Sequence, residues 1–339
     1  MTKRYKVWVS RPLFAEALAR LDQHVTLVAE ATERQHSPAQ LRERLADVDA
    51  AIIGLSDRVD AATLAGNERL RVIANLAVGY NNLDIDALTR AGVLACNTPD
   101  VLNETTADYA WALLLAAARR VGAAERWLRS GQWTGTMRID DWLGVDLHGR
   151  TLGILGMGRI GQAVARRAGG FDMRVLYHNR HRLPEVTERQ CAARWVDQPT
   201  LLAESDHLVL ALPYTPGNHH IIGAAELARM KRGSVLVNIA RGGLVDEAAL
   251  AAALAAGQLA AAGLDVYEDE PVVHPALLAL DQVVLSPHLG SASADTRRNM
   301  AHLAVDNVLA GLGLGSAAGD PPTPINPQLL HARPAPGKA

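Results

Sequence analysis

The 339-residue chain is predicted to fold as two doubly wound α/β domains, each built on a parallel sheet. Three observations predict this. The length is about twice the ~150 residues usual for one domain. Short β-rich runs alternate with helical patterns over residues 6–96 and again over 151–287, and such alternation builds parallel sheets. The second series opens on a glycine-rich turn, Gly156-Met157-Gly158-Arg159-Ile160-Gly161, set between a strand and a helix.

In order, the first series reads as strands at 6–9, 25–28, 51–53, 72–75 and 93–96, with helices at 12–22, 38–46, 61–66 and 85–91. A long amphipathic helix follows, opened by Asn103, Glu104, Thr105 and Thr106 as cap candidates and running to Arg120; it reads as a connector between domains. Residues 123–149 hold three of the six tryptophans, Trp127, Trp133 and Trp142, with no clear period. That segment reads as an arm or interface. The second series places strands at 151–155, 174–177, 207–212, 234–239, 263–265 and 283–286. A last helix spans 294–312, and the proline-rich residues 329–339 are expected to form a flexible tail.

Composition narrows the function classes. With 49% hydrophobic and 21% charged residues, the chain is neither disordered nor fibrous. Lys+Arg of 34 against Asp+Glu of 36 gives a net charge of -2, which lacks the basic field of a nucleic-acid binder. The uncharged apolar stretch 109–118 is half the ~20 residues a membrane crossing needs. The first eleven residues contain no signal-peptide apolar core, so a cytoplasmic protein is expected. The two cysteines, Cys96 and Cys191, fit no CxxC or Cys/His spacing, and no metal is expected. Only four of the 34 cationic residues are lysines, so an isolated arginine is a weak signal.

The glycine turn carries chemistry because of its context. Gly156 permits the tight turn, Gly158 lets backbone approach a pyrophosphate, and Gly161 lets helix pack on strand. The helix N-terminus then faces the phosphates. A dinucleotide is therefore the expected ligand. In NAD enzymes an acidic residue ends the second strand and binds the ribose 2′-OH; here that position reads Tyr177-His178-Asn179-Arg180-His181-Arg182, without a carboxylate. Asn179 and Arg180, with Arg182 as a further donor, leave room for a 2′-phosphate, so NADP is expected, NADPH preferred, with NAD as the alternative.

Three polar residues follow strands, where ligands of open α/β sheets sit: Arg241, Glu270 and His288. An imidazole exchanges a proton, a carboxylate orients it, and a guanidinium grips a substrate carboxylate with two bonds. Singly, each has a strong structural explanation; their convergence makes a proton relay beside a carboxylate anchor.

The sequence resembles the D-isomer-specific 2-hydroxyacid dehydrogenases, particularly the glyoxylate/hydroxypyruvate reductase and 2-ketogluconate reductase branch. The resemblance covers residues 5–328 and rests on residues 75–84 (Asn-Leu-Ala-Val-Gly-Tyr-Asn-Asn-Leu-Asp), the glycine turn, Leu212-Pro213-Tyr214-Thr215, Asn238-Ile239-Ala240-Arg241-Gly242, Ala262-Gly263-Leu264-Asp265-Val266 and Ser286-Pro287-His288-Leu289-Gly290. It implies a flavodoxin-like substrate domain (1–102 plus 289–328) and a Rossmann cofactor domain (103–288) with a cleft between them, the arm 123–149 serving dimerisation. It implies catalysis by Arg241, Glu270 and His288. Cofactor contacts are implied for Thr106, Gly156, Gly158, Arg159, Ile160, Gly161, Asn179, Arg180, Leu212, Pro213, Thr215, Ile239, Ala240, Asp265 and Gly290. Substrate contacts are implied for Leu55, Val78, Gly79, Arg241, His288 and Trp142, the last reaching a partner subunit in a homodimer. The expected reaction is hydride reduction of a small 2-keto acid to the D-2-hydroxy acid. The alternatives are an NAD-dependent relative acting on phosphoglycerate or lactate, and a dinucleotide-sensing corepressor on the same fold.

Overall fold

The structure, a computed structural model, describes residues 4–332. The chain divides into two compact units, residues 1–102 with 293–339, and residues 103–292. In chain order the first unit contains β1 (Lys6–Val9), α1 (Ala15–Asp22), β2 (Thr26–Ala29), α2 (Pro38–Ala46), β3 (Ala50–Ile53), α3 (Ala61–Leu64), β4 (Val72–Asn75), α4 (Ile85–Arg90) and β5 (Leu94–Cys96). The second contains α5 (Asn103–Ala118), α6 (Val121–Arg129), β6 (Thr151–Leu155), α7 (Arg159–Ala168), β7 (Arg174–His178), α8 (Glu185–Gln190), β8 (Ala193–Trp195), α9 (Gln198–Glu204) and β9 (His207–Leu210). It continues with α10 (Ala224–Arg229), β10 (Ser234–Asn238), α11 (Glu247–Ala255), β11 (Leu259–Leu264), α12 (Pro275–Leu278) and β12 (Val283–Leu285), and the chain returns to the first unit as α13 (Ala294–Gly311) and α14 (Gln328–Ala332).

The first sheet runs β2-β1-β3-β4-β5, every pair parallel. A parallel sheet covered by helices on both faces has near-continuous apolar strands, and β3 (Ala-Ala-Ile-Ile) is buried throughout. Helix entry is written in polar caps. Ser37 accepts from Gln40 N while the Gln40 side chain accepts from Ser37 N, with Pro38 in the first turn of α2. Asp84 and Ser293 cap α4 and α13. Helix α13 lies on this sheet, close enough that a Cβ on Gly311 would stand 2.8 Å from Val72.

The second sheet runs β12-β11-β10-β9-β6-β7-β8, again parallel. Its register aligns the carboxyl ends of six strands. His178 pairs with Leu155, Leu155 with Leu210, Leu210 with Asn238, Asn238 with Leu264, and Leu264 with Leu285. The residues that follow these six ends therefore emerge along one edge.

Several boundaries differ from the sequence reading. Helix α5 is part of the core of the second unit, burying Ala110, Leu113, Leu114 and Ala117, and Gly263 of β11 approaches Leu113 closely. The arm is not irregular throughout: α6 covers its start. Its amphipathic repeat is hard to read because it buries only Ala123 and leaves Val121 and Leu128 exposed. Strand β11 begins at Leu259, inside an alanine-rich run that resembles helix, and the short edge strand β8 carries no apolar alternation. Residues 329–332 of the expected flexible tail belong to α14; residues 333–339 lie outside the described residues.

Candidate active site

Each segment emerging from the second sheet has a local reason for its shape. After β6, Gly156 has φ +101, and a Cβ there would meet Leu212 N at 2.6 Å. A Cβ on Gly161 would stand 2.3 Å from Gly156 O, whereas the same position on Gly158 faces open space. Two glycines are thus required by the chain itself. Gly158, at the N-terminus of the ten-residue α7, leaves a cradle that a phosphate fits. β6 and β9 flank the point where strand order reverses, which is where such sheets take ligands. The residues present fit a dinucleotide.

Asn179 supports this turn, its Oδ1 accepting from Met157 N at 2.7 Å. Arg180 is exposed beside it. Arg182, read from the sequence as a further donor, has a partner within the chain. Its guanidinium is spent in a bidentate pair with buried Glu188 (2.9 and 2.7 Å), which also accepts from Tyr177 Oη at 2.7 Å. The Arg182 hydrogen bond, outweighing burial, brings the Glu188 carboxyl down to about 2, while burial and the Glu188 contact push the Tyr177 phenol up to about 12.

Beyond β10, Asn238 shapes the turn that presents Arg241. Its Nδ2 donates to Arg241 O (2.9 Å) and its Oδ1 accepts from Ala240 N (3.0 Å). Arg241 donates from Nη1 to Ala240 O at 2.7 Å and forms no ion pair among the described residues; burial lowers its pKa against the opposing pull of Glu270. A Cβ on Gly242 would lie 1.8 Å from the Tyr267 carbonyl carbon, so the Arg241 and Glu270 segments are locked together by a glycine contact.

His288 sits on a turn built by Asp265. The buried Asp265 carboxylate accepts from Ser286 Oγ, Leu289 N and Gly290 N, all at 2.7 Å, and its carbonyl accepts from His288 N at 2.9 Å. Burial raises the Asp265 pKa, opposed by those hydrogen bonds. His288 itself has φ +56, and its Nδ1 lies 2.8 Å from Glu270 Oε2, both side chains about one third exposed. Glu270 Oε1 accepts from Tyr267 N at 3.1 Å. Burial opposes ionisation of Glu270, but the His288 contact, with the Tyr267 amide and Arg241, prevails and lowers its pKa. An ionised carboxylate only accepts, so Nδ1 is the donor and Nε2 is left for chemistry. Tyr267, Val273, Leu278 and Leu285 line an apolar pocket that reaches this pair.

The remaining expected residues fall as follows. Thr106 is buried against Gly290. Ile239 and Ala240 are buried at the end of β10. Leu212 packs over the glycine turn, Pro213 O accepts from Asn218 Nδ2, and Thr215 opens a short turn closed by Asn218. Arg159 and Ile160 form the first turn of α7. In the first unit, Asn97 and Asn75 hold the carbonyls of Val78 and Gly79 at 2.8 and 2.9 Å, and the two N–H groups make no hydrogen bond among the described residues. Half-buried Leu55 rides on a turn pinned by Asp57, which accepts from Gly54 N at 3.1 Å and from Ser10 Oγ at 2.5 Å. Trp142 packs within its own chain, against Trp127 and under Arg120. Sequence reasoning missed Asn238, Ser286, Tyr267 and Asp57, which position the others.

A dinucleotide cradle, a histidine–carboxylate pair and an arginine that forms no ion pair among the described residues thus share one sheet edge. The family model for the D-isomer specific 2-hydroxyacid dehydrogenase, NAD binding domain, matches residues 111–290, and the chain belongs to this family. Within it the chain falls in the glyoxylate reductase branch. It is 45% identical to the glyoxylate reductase of Thermococcus onnurineus (strain NA1) over 333 residues, 97% of this chain and 98% of that one. Among solved structures it resembles a glyoxylate reductase from Paecilomyes thermophila (TM-score 0.85, 35% identity, 97% of this chain and 100% of that one). It also resembles the NADPH-dependent glyoxylate/hydroxypyruvate reductase of Sinorhizobium meliloti in complex with NADP and malonate (TM-score 0.83, 34% identity, 95% and 97%). The protein is an NAD(P)-dependent oxidoreductase acting on 2-keto acids.

Proposed function

We propose that the protein reduces glyoxylate and hydroxypyruvate, with NADPH as the preferred reductant, to the D-2-hydroxy acid where the product is chiral. The observation that carries the reading is the half-exposed His288–Glu270 pair (2.8 Å) on the same sheet edge as Arg241. The nicotinamide supplies hydride to C2 when bound. Arg241 grips the substrate carboxylate and polarises the keto oxygen. His288, held through Nδ1 by Glu270, presents the Nε2 proton to the forming alkoxide. Asp265 fixes the His288 turn, and Asn238 the Arg241 turn.

Support for NADPH comes from the end of β7, where Asn179 and exposed Arg180 stand in place of a carboxylate, and from the NADP complex of the Sinorhizobium meliloti relative. The arm supports a homodimer: Ile139 is 99% and Trp133 58% exposed, with Met137 and Leu143 also uncovered, an apolar surface of the kind subunits bury. Trp142 would belong to that interface. Both cysteines are buried and neither forms a disulfide, which accords with a reducing cytoplasm.

The test is oxidation of NADPH and of NADH against 2-keto acids of increasing size. Turnover of glyoxylate and hydroxypyruvate, faster with NADPH, is expected. A clear preference for 2-ketogluconate, or equal efficiency with both cofactors, would overturn the finer assignment.

A further inference from the structure

The motif over residues 75–84 contains Asn75 and Asn82, two side chains that the proposed reaction does not use. Strands β3 and β4 end side by side, with Ile53 paired to Asn75. Each is followed by a segment that carries expected substrate contacts: the turn 54–57 with Leu55 after β3, and residues 76–82 with Val78 and Gly79 after β4. Backbone joins the two segments at their ends, where Leu76 N donates to Ile53 O and Val59 N to Asn82 O, both at 2.8 Å. Between those points the join is made by side-chain amides.

Asn82 Nδ2 lies 3.2 Å from Gly54 O, 3.0 Å from Asp57 O and 3.1 Å from Asn75 Oδ1. All three are acceptors, so the amide nitrogen and not its oxygen must face them, and its two protons serve three oxygens. Asn82 Oδ1 in turn accepts from Asn75 Nδ2 at 3.3 Å, and that nitrogen also donates to Gly79 O at 2.9 Å. Asn75 is fully buried. One chain of hydrogen bonds thus runs from the turn carrying Leu55, through Asn82 and Asn75, to the Gly79 carbonyl. The turn is also held from the side of β1. Arg11 Nη2 donates to Ser56 Oγ at 3.0 Å, and a Cβ on Gly54 would lie 1.8 Å from the Arg11 guanidinium carbon, so the guanidinium rests on the Gly54 backbone.

We propose that Asn82 is a positioning residue that locks the two segments into one substrate-binding surface, so that affinity for the keto acid depends on an amide engaged within the chain. The proposal rests on the reading of Leu55, Val78 and Gly79 as substrate contacts. A rigid surface holds ground state and transition state alike, so the effect belongs in KM rather than kcat. The dinucleotide cradle lies in the second unit and shares no residue with this knot.

The experiment is steady-state kinetics and hydrogen exchange on the full chain carrying Asn82→Asp, an isosteric change that sets an oxygen against three acceptors. KM for hydroxypyruvate and for glyoxylate should rise at least about tenfold, with kcat within about threefold of the parent, and KM for NADPH should stay as it is in the parent. Asn82→Ala, which adds no charge, should raise KM in the same direction and decides the matter if Asn82→Asp does not fold. Asn326→Asp is the control. Its amide accepts from Ala95 N at 2.8 Å and donates to Val93 O at 3.0 Å in the same unit, with no hydrogen bond to either segment, so this change should lower the melting temperature and leave KM at the parent value. Without substrate, amide exchange should quicken together over residues 54–59 and 76–82 in Asn82→Asp and not in Asn326→Asp. Unchanged KM in both Asn82 variants, an equal rise in Asn326→Asp, or faster exchange in one segment alone would each overturn the proposal. A parent that reduced neither acid would overturn the substrate reading instead, and the exchange data would still decide whether Asn82 couples the segments.

Discussion

Two histidine–carboxylate pairs in this protein look alike in their atoms and differ in what they leave free. His288 Nδ1 lies 2.8 Å from Glu270, and His36 Nδ1 lies 3.0 Å from Asp57. In the first pair the side chains are 32% and 36% exposed; in the second, 1% and 0%. His36 Nε2 accepts from Arg34 Nε, and Asp57 is saturated by Ser10 Oγ and Gly54 N. His288 Nε2 has no partner among the described residues. The buried pair holds a turn of the first unit; the half-exposed pair has a nitrogen left for a substrate. A short contact between titratable groups therefore does not mark a site, but an uncommitted atom on one of them does.

The largest expected effect tests this directly. His288→Ala should lower kcat by about 10²- to 10⁴-fold while NADPH binding, read by its fluorescence, persists. More than a tenth of the parent activity at neutral pH would remove His288 from the chemistry. The buried pair should respond in the other currency. Asp57→Ala strands His36, Ser10 and Gly54 N without their acceptor, and each buried group left unsatisfied costs about 1–3 kcal/mol, read as a fall in the denaturant midpoint. Unchanged stability with lost turnover would erase the distinction between the pairs.

How far this was readable in the sequence follows the same division. The parallel sheets were legible because strands such as Ser234–Asn238 are uninterrupted apolar runs closed by small polar residues. The glycine turn was legible because Gly156 and Gly161 are required by backbone contacts a few residues away. The strand-end positions of Arg241 and His288 were legible as well. What holds them was not. Asp265 reaches a turn 21–25 residues further on, and Asp57 meets Ser10 across 47 residues, contacts that no local pattern announces. Strand β11 was shortened because its alanines suit a helix equally.

Two arginines near the end of β7 extend the comparison to cofactor choice. Arg180 is exposed and pairs with no carboxylate among the described residues, whereas Arg182 is committed to Glu188. A hydrogen bond to a charged group contributes about 1.5–3 kcal/mol, so Arg180→Asp should reduce the NADPH-over-NADH ratio of kcat/KM by roughly 10- to 150-fold. Paired kinetics with both cofactors measure it, and an unchanged ratio would return Arg180 to the solvated surface.

The smallest effect is expected at Arg182, and its direction separates the two arginines. Its guanidinium faces Glu188, so Arg182→Ala should leave the cofactor ratio as it is in the parent. Its consequence should appear in acid instead. Glu188 has a folded pKa of about 2 against an ordinary 4.5, with the Arg182 hydrogen bond the largest cause. A depressed carboxylate contributes stability that is fully present above its unfolded pKa and is lost as pH falls through the folded one. The parent should therefore lose this contribution between about pH 4.5 and about pH 2, and Arg182→Ala, whose Glu188 titrates nearer its ordinary value, should show a shallower fall across that window. Denaturant melts of both proteins from neutral pH downward measure the slope. A changed cofactor ratio in Arg182→Ala, or the parent's slope retained, would show that the pair with Glu188 is not what occupies this arginine.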